Sequence, residues 1–336
     1  MFKGKKIIFA FVFLVSLLSI SEGEVLAKNS IDDIPVKENL SSNVSVEILE
    51  GDRVAPVNNV EELKESQLDL ILQRIGYSSK SINMWDIERK NQLASYGGKV
   101  VDSELSDLVH EYTSTDGENY IINPKNKEMV REIQINDLKK AGIEDEDITK
   151  YNLVEETETS NLMSMSSTDG TFQDEKFSAL ITVSLVGESA NDYKYVMMMD
   201  YFLDSQPVAY QGDNAGLYWG NYGQPVAGTA MGIHSVNYAN SGNWVNFNHN
   251  INLTSNEGVT SKIDYNNKTF GPQMGFLSEE VWVSKNYEGH NLALSGAYSH
   301  PWFNNDWSIS VGYGSLSFSG ALTQGDKWSW VYNFMP

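Results

Sequence analysis

The strongest constraint on this sequence is a two-residue alternation of large apolar and small polar residues near its C-terminus. The alternating apolar residues are Trp307, Ile309, Val311 and Tyr313, then Leu316 and Phe318, and finally Trp328, Trp330, Tyr332 and Phe334. A period of two places alternate side chains on opposite faces of an extended strand, so we predict strands with one buried aromatic face. The phase slips by one residue at Gly314, which predicts a β-bulge or a sharp bend. Gly325-Asp326 predicts a turn before the last strand.

Residues 172–336 contain several more segments of this kind. The inward set of a first predicted strand is Phe177, Ala179, Ile181, Val183 and Leu185, and that of a second is Tyr193, Tyr195, Met197, Met199, Tyr201 and Leu203. Between Trp244 and Thr254, four asparagines share one face of a predicted strand. Many short strands separated by turn signals are typical of an antiparallel sandwich or barrel.

The preceding part of the chain has a different pattern. Residues 28–58 are polar and predict a flexible lead or a loosely attached strand. From Asn59, a capping box with Glu62 and an apolar stripe predict a helix that ends at Gly76. Residues 155–171 lack any period and predict a linker. The predicted fold class is therefore α+β and multidomain, with a small, mostly helical N-terminal region, residues 59–154, followed by an antiparallel β-sandwich, residues 172–336.

The N-terminus and the composition indicate export. Lys3, Lys5 and Lys6 precede a short apolar run, which predicts a signal peptide, residues 1–27, cleaved after Ala27, and a secreted protein that is free or associated with the cell surface. No later segment is long and apolar enough for a membrane-spanning helix. The chain has no cysteine, so disulfides and thiolate metal sites are excluded. A formal net charge of −21, with no arginine after residue 170, argues against nucleic acid as a partner.

Short motifs in the C-terminal half resemble those of exported β-sandwich proteins of Gram-positive bacteria. They comprise Tyr201 to Pro207, Asp213, Leu217-Tyr218-Trp219 and Tyr298-Ser299-His300-Pro301-Trp302. The resemblance implies a sandwich fold for this half of the chain. It implies no activity and no catalytic residue.

The sequence has none of the strong catalytic motifs. His110-Glu111 is followed by Ser114 where a zinc protease has its second histidine, and nucleophile-elbow and phosphate-loop motifs are absent. We therefore predict no catalytic residue and no obligatory cofactor. Loop carboxylates of Asp213 and Asp306 are candidate calcium ligands, because calcium takes oxygen ligands; the alternative is that both are solvated turn residues.

Aromatic and amide side chains indicate a binding surface. Amides donate and accept hydrogen bonds together, and aromatic rings cover the C–H faces of sugars. The candidate ligand contacts are Trp219, Tyr222, Asn246, Asn248, Asn250, Trp302 and Asn304. The alternative is that the rings are core residues and the asparagines an exposed sheet face. We predict a binding or adhesion protein for a polysaccharide or cell-surface partner. The alternatives are a pore-forming toxin, which would release dye from liposomes, and an extracellular hydrolase.

Overall fold

Two antiparallel β-sheets enclose the main hydrophobic core. The computed structural model describes residues 35–101, 103–105, 108–145, 148, 171–174, 177–203, 212–237, 244–248, 250–263, 272–302, 308–312, 315–319 and 324–336. The predicted signal peptide and residues 155–170 of the predicted linker lie outside this part. The predicted α+β class with an antiparallel β-sandwich is confirmed.

The first sheet contains eight of the described strands. In spatial order, its main path is β14 (Trp244–Asn248), β13 (Met231–Asn237), β17 (Gln273–Ser284), β10 (Asp192–Leu203), β9 (Phe177–Glu188) and β4 (Lys99–Val100). Two short strands pair beside this path, β12 (Gly223–Pro225) with β17 and β8 (Thr171–Asp174) with β9.

The second sheet also contains eight described strands. Its main path is β15 (Asn250–Ser255), β16 (Gly258–Ile263), β11 (Asp213–Tyr218), β18 (Leu292–Pro301), β21 (Gly325–Phe334), β6 (Val109–Thr113) and β7 (Asn119–Ile121), with β5 (Ser103–Leu105) paired to β21. A separate hairpin consists of β19 (Ser308–Gly312) and β20 (Ser315–Ser319).

The inward faces of the two sheets supply an aromatic core. Phe177 stacks on Trp328 with ring centroids 4.4 Å apart, and Tyr201 packs on Tyr298 at 4.6 Å. The alternating apolar residues of β21 are buried as predicted. Each fully buried ring of this size stabilises the fold by about 1.5–3 kcal/mol relative to an exposed one, so the aromatic rings between the sheets contribute strongly to stability.

The small N-terminal sheet and the first three helices cover the outer face of the first sheet. Strands β1 (Val36–Ser41), β2 (Val44–Leu49) and β3 (Arg53–Val54) form a small sheet, and the helices are α1 (Glu65–Ile75), α2 (Ser79–Met84), α3 (Ile87–Tyr96) and α4 (Lys127–Lys140). Residues of α1 to α3 pack with Leu180, Val196 and Met198 of β9 and β10. Helix α4 belongs to a smaller cluster that includes Tyr112 and Trp302.

The N-terminal region is more closely joined to the sandwich than the sequence predicts. Strand β4 pairs with β9, and β5 and β6 pair with β21, so this region extends both sheets. Pro35–Pro336 forms one compact unit. The lead, predicted to be flexible or a loosely attached strand, forms the small sheet, because Val44 and Val46 alternate with polar residues and are buried.

Helix α1 ends as predicted at Gly76, which has φ +112°. It begins later than predicted, at Glu65, because Asn59 adopts a left-handed conformation and precedes a separate 3-10 turn. The Gln67 side chain then accepts a hydrogen bond from the Lys64 N–H at 2.9 Å and closes the first turn of the helix.

Two predicted details near the C-terminus can be compared with the structure. Gly312 pairs with Ser315 in an antiparallel hairpin, so of the two alternatives for the phase slip, a bulge or a sharp bend, the pairing favours the sharp bend. Gly325 and Asp326 do not form a turn. They begin β21 and pair with Pro301 and His300 of β18, so the last strand starts earlier than the aromatic alternation indicates.

Candidate functional site

A cleft lined by aromatic rings and amides lies beside β12 and the end of β17. We call it the aromatic cleft, and its volume is about 260 Å³. It is lined by Asp192, Asn221, Tyr222, Gln224, Trp282, Ser284, Asn286 and Tyr287. All three rings are half-buried and the three amides are exposed, so the cleft offers apolar surfaces and hydrogen-bonding groups together.

Strand alternation places the Trp282 ring on the outer face of the first sheet. Val281 and Val283, on either side of it, are fully buried in the inter-sheet core. Gln224 on β12 and Lys194 on β10 lie directly opposite Trp282 in the sheet. The Lys194 Nζ is 5.7 Å from the centroid of the Trp282 ring, a cation–π contact that supports one side of the indole.

A 3-10 turn over Gly220–Tyr222 presents Asn221 and Tyr222 to the cleft. Trp219 fixes this turn from below, because its indole is fully buried and its Nε1–H donates to the Asn256 carbonyl at 2.8 Å. Gly220 has φ +75°, a conformation that favours glycine. The turn is therefore held by core packing and backbone geometry, independently of any ligand.

Tyr222 and Tyr287 form one wall of the cleft. Their ring centroids are 6.2 Å apart with planes inclined at 66°, an edge-to-face arrangement. The Tyr222 hydroxyl donates to the Ala293 carbonyl at 2.9 Å. Burial raises the pKa of Tyr222, so the phenol stays neutral and keeps this hydrogen bond at every physiological pH. The wall is thus a fixed apolar surface.

The polar groups of the cleft remain available to a ligand. No described residue hydrogen-bonds to the side-chain amides of Asn221, Gln224 and Asn286. One carboxylate oxygen of Asp192 accepts from the Ser189 hydroxyl at 3.3 Å. Amides offer donors and acceptors and a carboxylate offers acceptors, so these groups together match the alternating hydroxyls of a sugar.

The predicted ligand contacts Trp219 and Trp302 are both fully buried. Trp219 lies beneath the aromatic cleft, whereas Trp302 packs against Tyr112, and its Nε1–H donates to Asp326 Oδ2 at 2.9 Å. Of the predicted contacts whose side chains the structure describes, Tyr222 lines the cleft. The ligand role of the two tryptophans stays a prediction.

The predicted asparagine face is divided between the two sheets. Asn246 and Asn248 belong to β14 in the first sheet, and Asn250 begins β15 in the second, since the chain changes sheets at this corner. Asn246 is exposed and bonds to Glu88, as described below. The side chains of Asn248 and Asn250, and the whole of Asn304, lie outside the described part.

Of the two predicted calcium ligands, only Asp213 lies within the described residues. Its side chain is fully buried, bonds to His300 Nδ1 at 2.6 Å and accepts a hydrogen bond from the Tyr298 hydroxyl. Asp306 lies outside. No group of three or more His, Asp or Glu side chains suited to a metal ion occurs among the described residues. The calcium site stays a prediction.

The sequence reasoning missed most residues of the aromatic cleft. Trp282 lies between two buried valines, and this outward position was a usable signal, because an alternating strand with a large ring on its polar face is unusual. Tyr287, Asn286 and Asp192 gave no comparable signal. Asn286 and Tyr287 lie in a 3-10 turn after β17, whereas Asp192 is the first residue of β10. The pairing of β10 with β17 brings them together.

Comparison with protein-family models found no match, and comparison with curated protein sequences found none. Among solved structures, the collagen-binding subdomain of the Enterococcus faecalis surface protein ACE matches 44% of this chain and 93% of that domain, with 8% identity and a TM-score of 0.28. The collagen-binding domain of the Erysipelothrix rhusiopathiae surface protein RspB matches 47% of this chain and 59% of that chain, with 8% identity and a TM-score of 0.24. AvmM, which catalyses macrocyclization in alchivemycin A biosynthesis, matches 44% of this chain and 87% of that chain, with 8% identity and a TM-score of 0.20. These scores are too low to assign the chain to a family.

The helices of the described region are all short or polar. None is long and apolar enough to cross a lipid bilayer.

Proposed function

We propose that this chain is an exported glycan-binding protein that holds a sugar residue of a polysaccharide in the aromatic cleft. The observation that carries the proposal is the convergence of the half-buried rings of Tyr222, Trp282 and Tyr287 with three exposed amides. Rings match the C–H faces of a sugar, and the amides match its hydroxyls. The predicted signal peptide supports an extracellular location for this binding.

The size and rigidity of the cleft support the same function. Its volume of about 260 Å³ equals that of roughly nine water molecules at about 30 Å³ each, enough for one sugar ring and its hydroxyls. The 3-10 turn over Gly220–Tyr222 and the strand position of Trp282 fix the rings before a ligand arrives. A prearranged site loses less side-chain entropy on binding, which favours recognition of a weakly binding polymer unit.

The test is retention of the purified protein on insoluble polysaccharides, including peptidoglycan, chitin and cellulose, followed by calorimetry with soluble fragments of whichever polymer retains it. We expect at least one polymer to bind. Trp282→Ala and Tyr287→Ala should each weaken binding at least tenfold, which corresponds to about 1.4 kcal/mol. Both substitutions act at half-buried positions, so circular dichroism should stay unchanged.

The matched control is Tyr120→Ala, which removes a half-buried tyrosine from β7 in the second sheet. It should bind the polymer as the unchanged protein does. Failure of every polymer to retain the protein would overturn the proposal, as would equal binding by Trp282→Ala and the unchanged chain. Release of dye from liposomes would also contradict it and would favour a pore-forming function.

A further inference from the structure

A second, more apolar groove lies between the N-terminal helices and the outer face of the first sheet. We call it the methionine groove, and its volume is about 200 Å³. Helices α2 and α3 form one side and strands β13 and β17 the other. The apolar lining includes Met84, Trp85, Met231, Ile233, Met274 and Phe276. Methionine side chains are flexible and polarizable, so such walls adapt to apolar groups of different shapes.

The floor of the methionine groove is a buried, neutralised ion pair. Arg89 Nε donates to Asp200 Oδ1 at 3.0 Å, and Arg89 Nη2 lies 3.4 Å from Asp200 Oδ2. The guanidinium also lies 3.8 Å above the centroid of the Phe276 ring. Both charged side chains are more than nine-tenths buried. Because the two charges are paired with each other, the floor carries no net charge and does not require a charged ligand.

The mouth of the methionine groove is acidic. Glu88 is exposed there, and its Oε2 accepts a hydrogen bond from Asn246 Nδ2 at 2.7 Å. Asn246 in turn accepts from the Ser235 hydroxyl at 2.7 Å, so the carboxylate is held toward the sheet. Among the described residues, no lysine or arginine pairs with Glu88. The carboxylate of Asp86, which caps α3, adds a second negative charge to the lining.

We infer that the methionine groove binds a small amphiphile with an apolar chain and a cationic head. At about 30 Å³ for each water-sized group, 200 Å³ holds an unbranched chain of roughly seven atoms. The apolar chain lies between the methionines and Phe276, and the head meets Glu88 at the mouth. A concave apolar site with a few convergent polar groups is the usual form of a small-molecule site. This site is separate from the aromatic cleft.

The probes are octylammonium, octyl sulfate and octyl glucoside, each below its micelle concentration and measured by calorimetry. The three share one octyl tail and carry a cationic, an anionic and a neutral head. All three are measured in the Trp282→Ala background, so that a glucose head held in the aromatic cleft does not contribute to the result. We expect octylammonium to bind at least fivefold more tightly than the other two. Glu88→Gln should weaken octylammonium binding at least fivefold and leave octyl glucoside unchanged. Met231→Arg, at an exposed position of the lining, should weaken octylammonium binding by more than Glu88→Gln does, because it places a positive charge in the groove.

Glu132→Gln, an exposed carboxylate on α4, is the matched control and should bind octylammonium normally. The inference is overturned if none of the probes binds, or if octyl sulfate or octyl glucoside binds as tightly as octylammonium. It is also overturned if Glu88→Gln leaves octylammonium affinity unchanged. All three substitutions lie at exposed positions, so we expect each variant to fold as the unchanged protein does. Thermal unfolding of each variant checks this.

Discussion

The buried carboxyl group of Glu279 should make the stability of the fold depend on pH. Glu279 lies on the inward face of β17 between the fully buried Leu277 and Val281, and it is 1% exposed. Its Oε1 accepts a hydrogen bond from the Thr229 hydroxyl at 2.7 Å. Its Oε2 has no hydrogen-bond partner among the described residues. Burial raises the pKa of Glu279 to about 7, and the nearby Glu280 adds to this, while the Thr229 hydrogen bond opposes it.

The sign follows from proton binding in the two states. Between the ordinary pKa of a glutamate, 4.5, and about 7, the folded chain holds a proton on Glu279 that the unfolded chain has released. The free energy of unfolding therefore falls as the pH rises through this range and is constant beyond it. The full pKa difference corresponds to roughly 3 kcal/mol. Relaxation of the surrounding structure and entry of water on ionisation offset part of this, so we expect an effect of about 2 kcal/mol.

Glu279→Gln tests this reasoning, because glutamine imitates the protonated carboxyl group. Its carbonyl still accepts from Thr229, and its amide takes the place of Oε2. Urea unfolding at pH 4.5 should give similar stabilities for the variant and the unchanged chain. At pH 8, the variant should be more stable by about 2 kcal/mol. Glu47→Gln, on an exposed face of β2, should show no such difference.

The comparison between the two chains removes the contributions of other titrating groups. Burial lowers the pKa of His234 to about 4, and His300 has a raised pKa beside Asp213, but both are present in both chains. An equal or lower stability of Glu279→Gln at pH 8 would refute the argument. It would mean that the carboxylate is solvated or paired in the folded protein.

Two further substitutions test the packing that supports each site. Asp200→Asn should destabilise the protein by about 3–5 kcal/mol in urea unfolding, because it leaves the Arg89 charge buried without its counterion. A loss of stability below about 1 kcal/mol would show that the pair is not ionised. Gly223→Ala should cost about 1–3 kcal/mol and weaken polysaccharide binding, because its Cβ would lie 2.5 Å from Trp219 Cδ1. Gly187→Ala, where the nearest atom is 3.6 Å away, is the control and should change neither quantity; an equal loss in this control would contradict the proposed clash.

The strands of the sandwich could be predicted because alternation reflects burial directly. Ile181 and Val183 were assigned to the inward face of β9, and both are fully buried. The outward residue Leu180 is buried as well, since the N-terminal helices cover that face. A two-residue period records only which residues share a face. It does not show that a distant part of the chain packs on the opposite face.

The sites were less predictable because they depend on strand register. Tyr222 could be recognised as an aromatic residue near a turn, and Asn246 as an amide on one face of a predicted strand. Their neighbours Tyr287 and Glu88 come from segments far away in the sequence, and sequence spacing carries no information about that proximity. The burial of Trp219 could not be predicted either, because a tryptophan next to a glycine turn is equally typical of a ligand contact and of a core residue that fixes the turn.

The outward face of β17 links the two proposed sites and also keeps them separate. Phe276 lies under the methionine groove and Trp282 lines the aromatic cleft, and both project from the same face of this strand. Six positions at about 3.3 Å each place them roughly 20 Å apart. A small ligand in one site therefore does not contact the other, and substitutions at such a distance act additively. Because the inward residues of β17 are packed in the core, the strand holds both rings in place, and we expect the two ligands to bind independently.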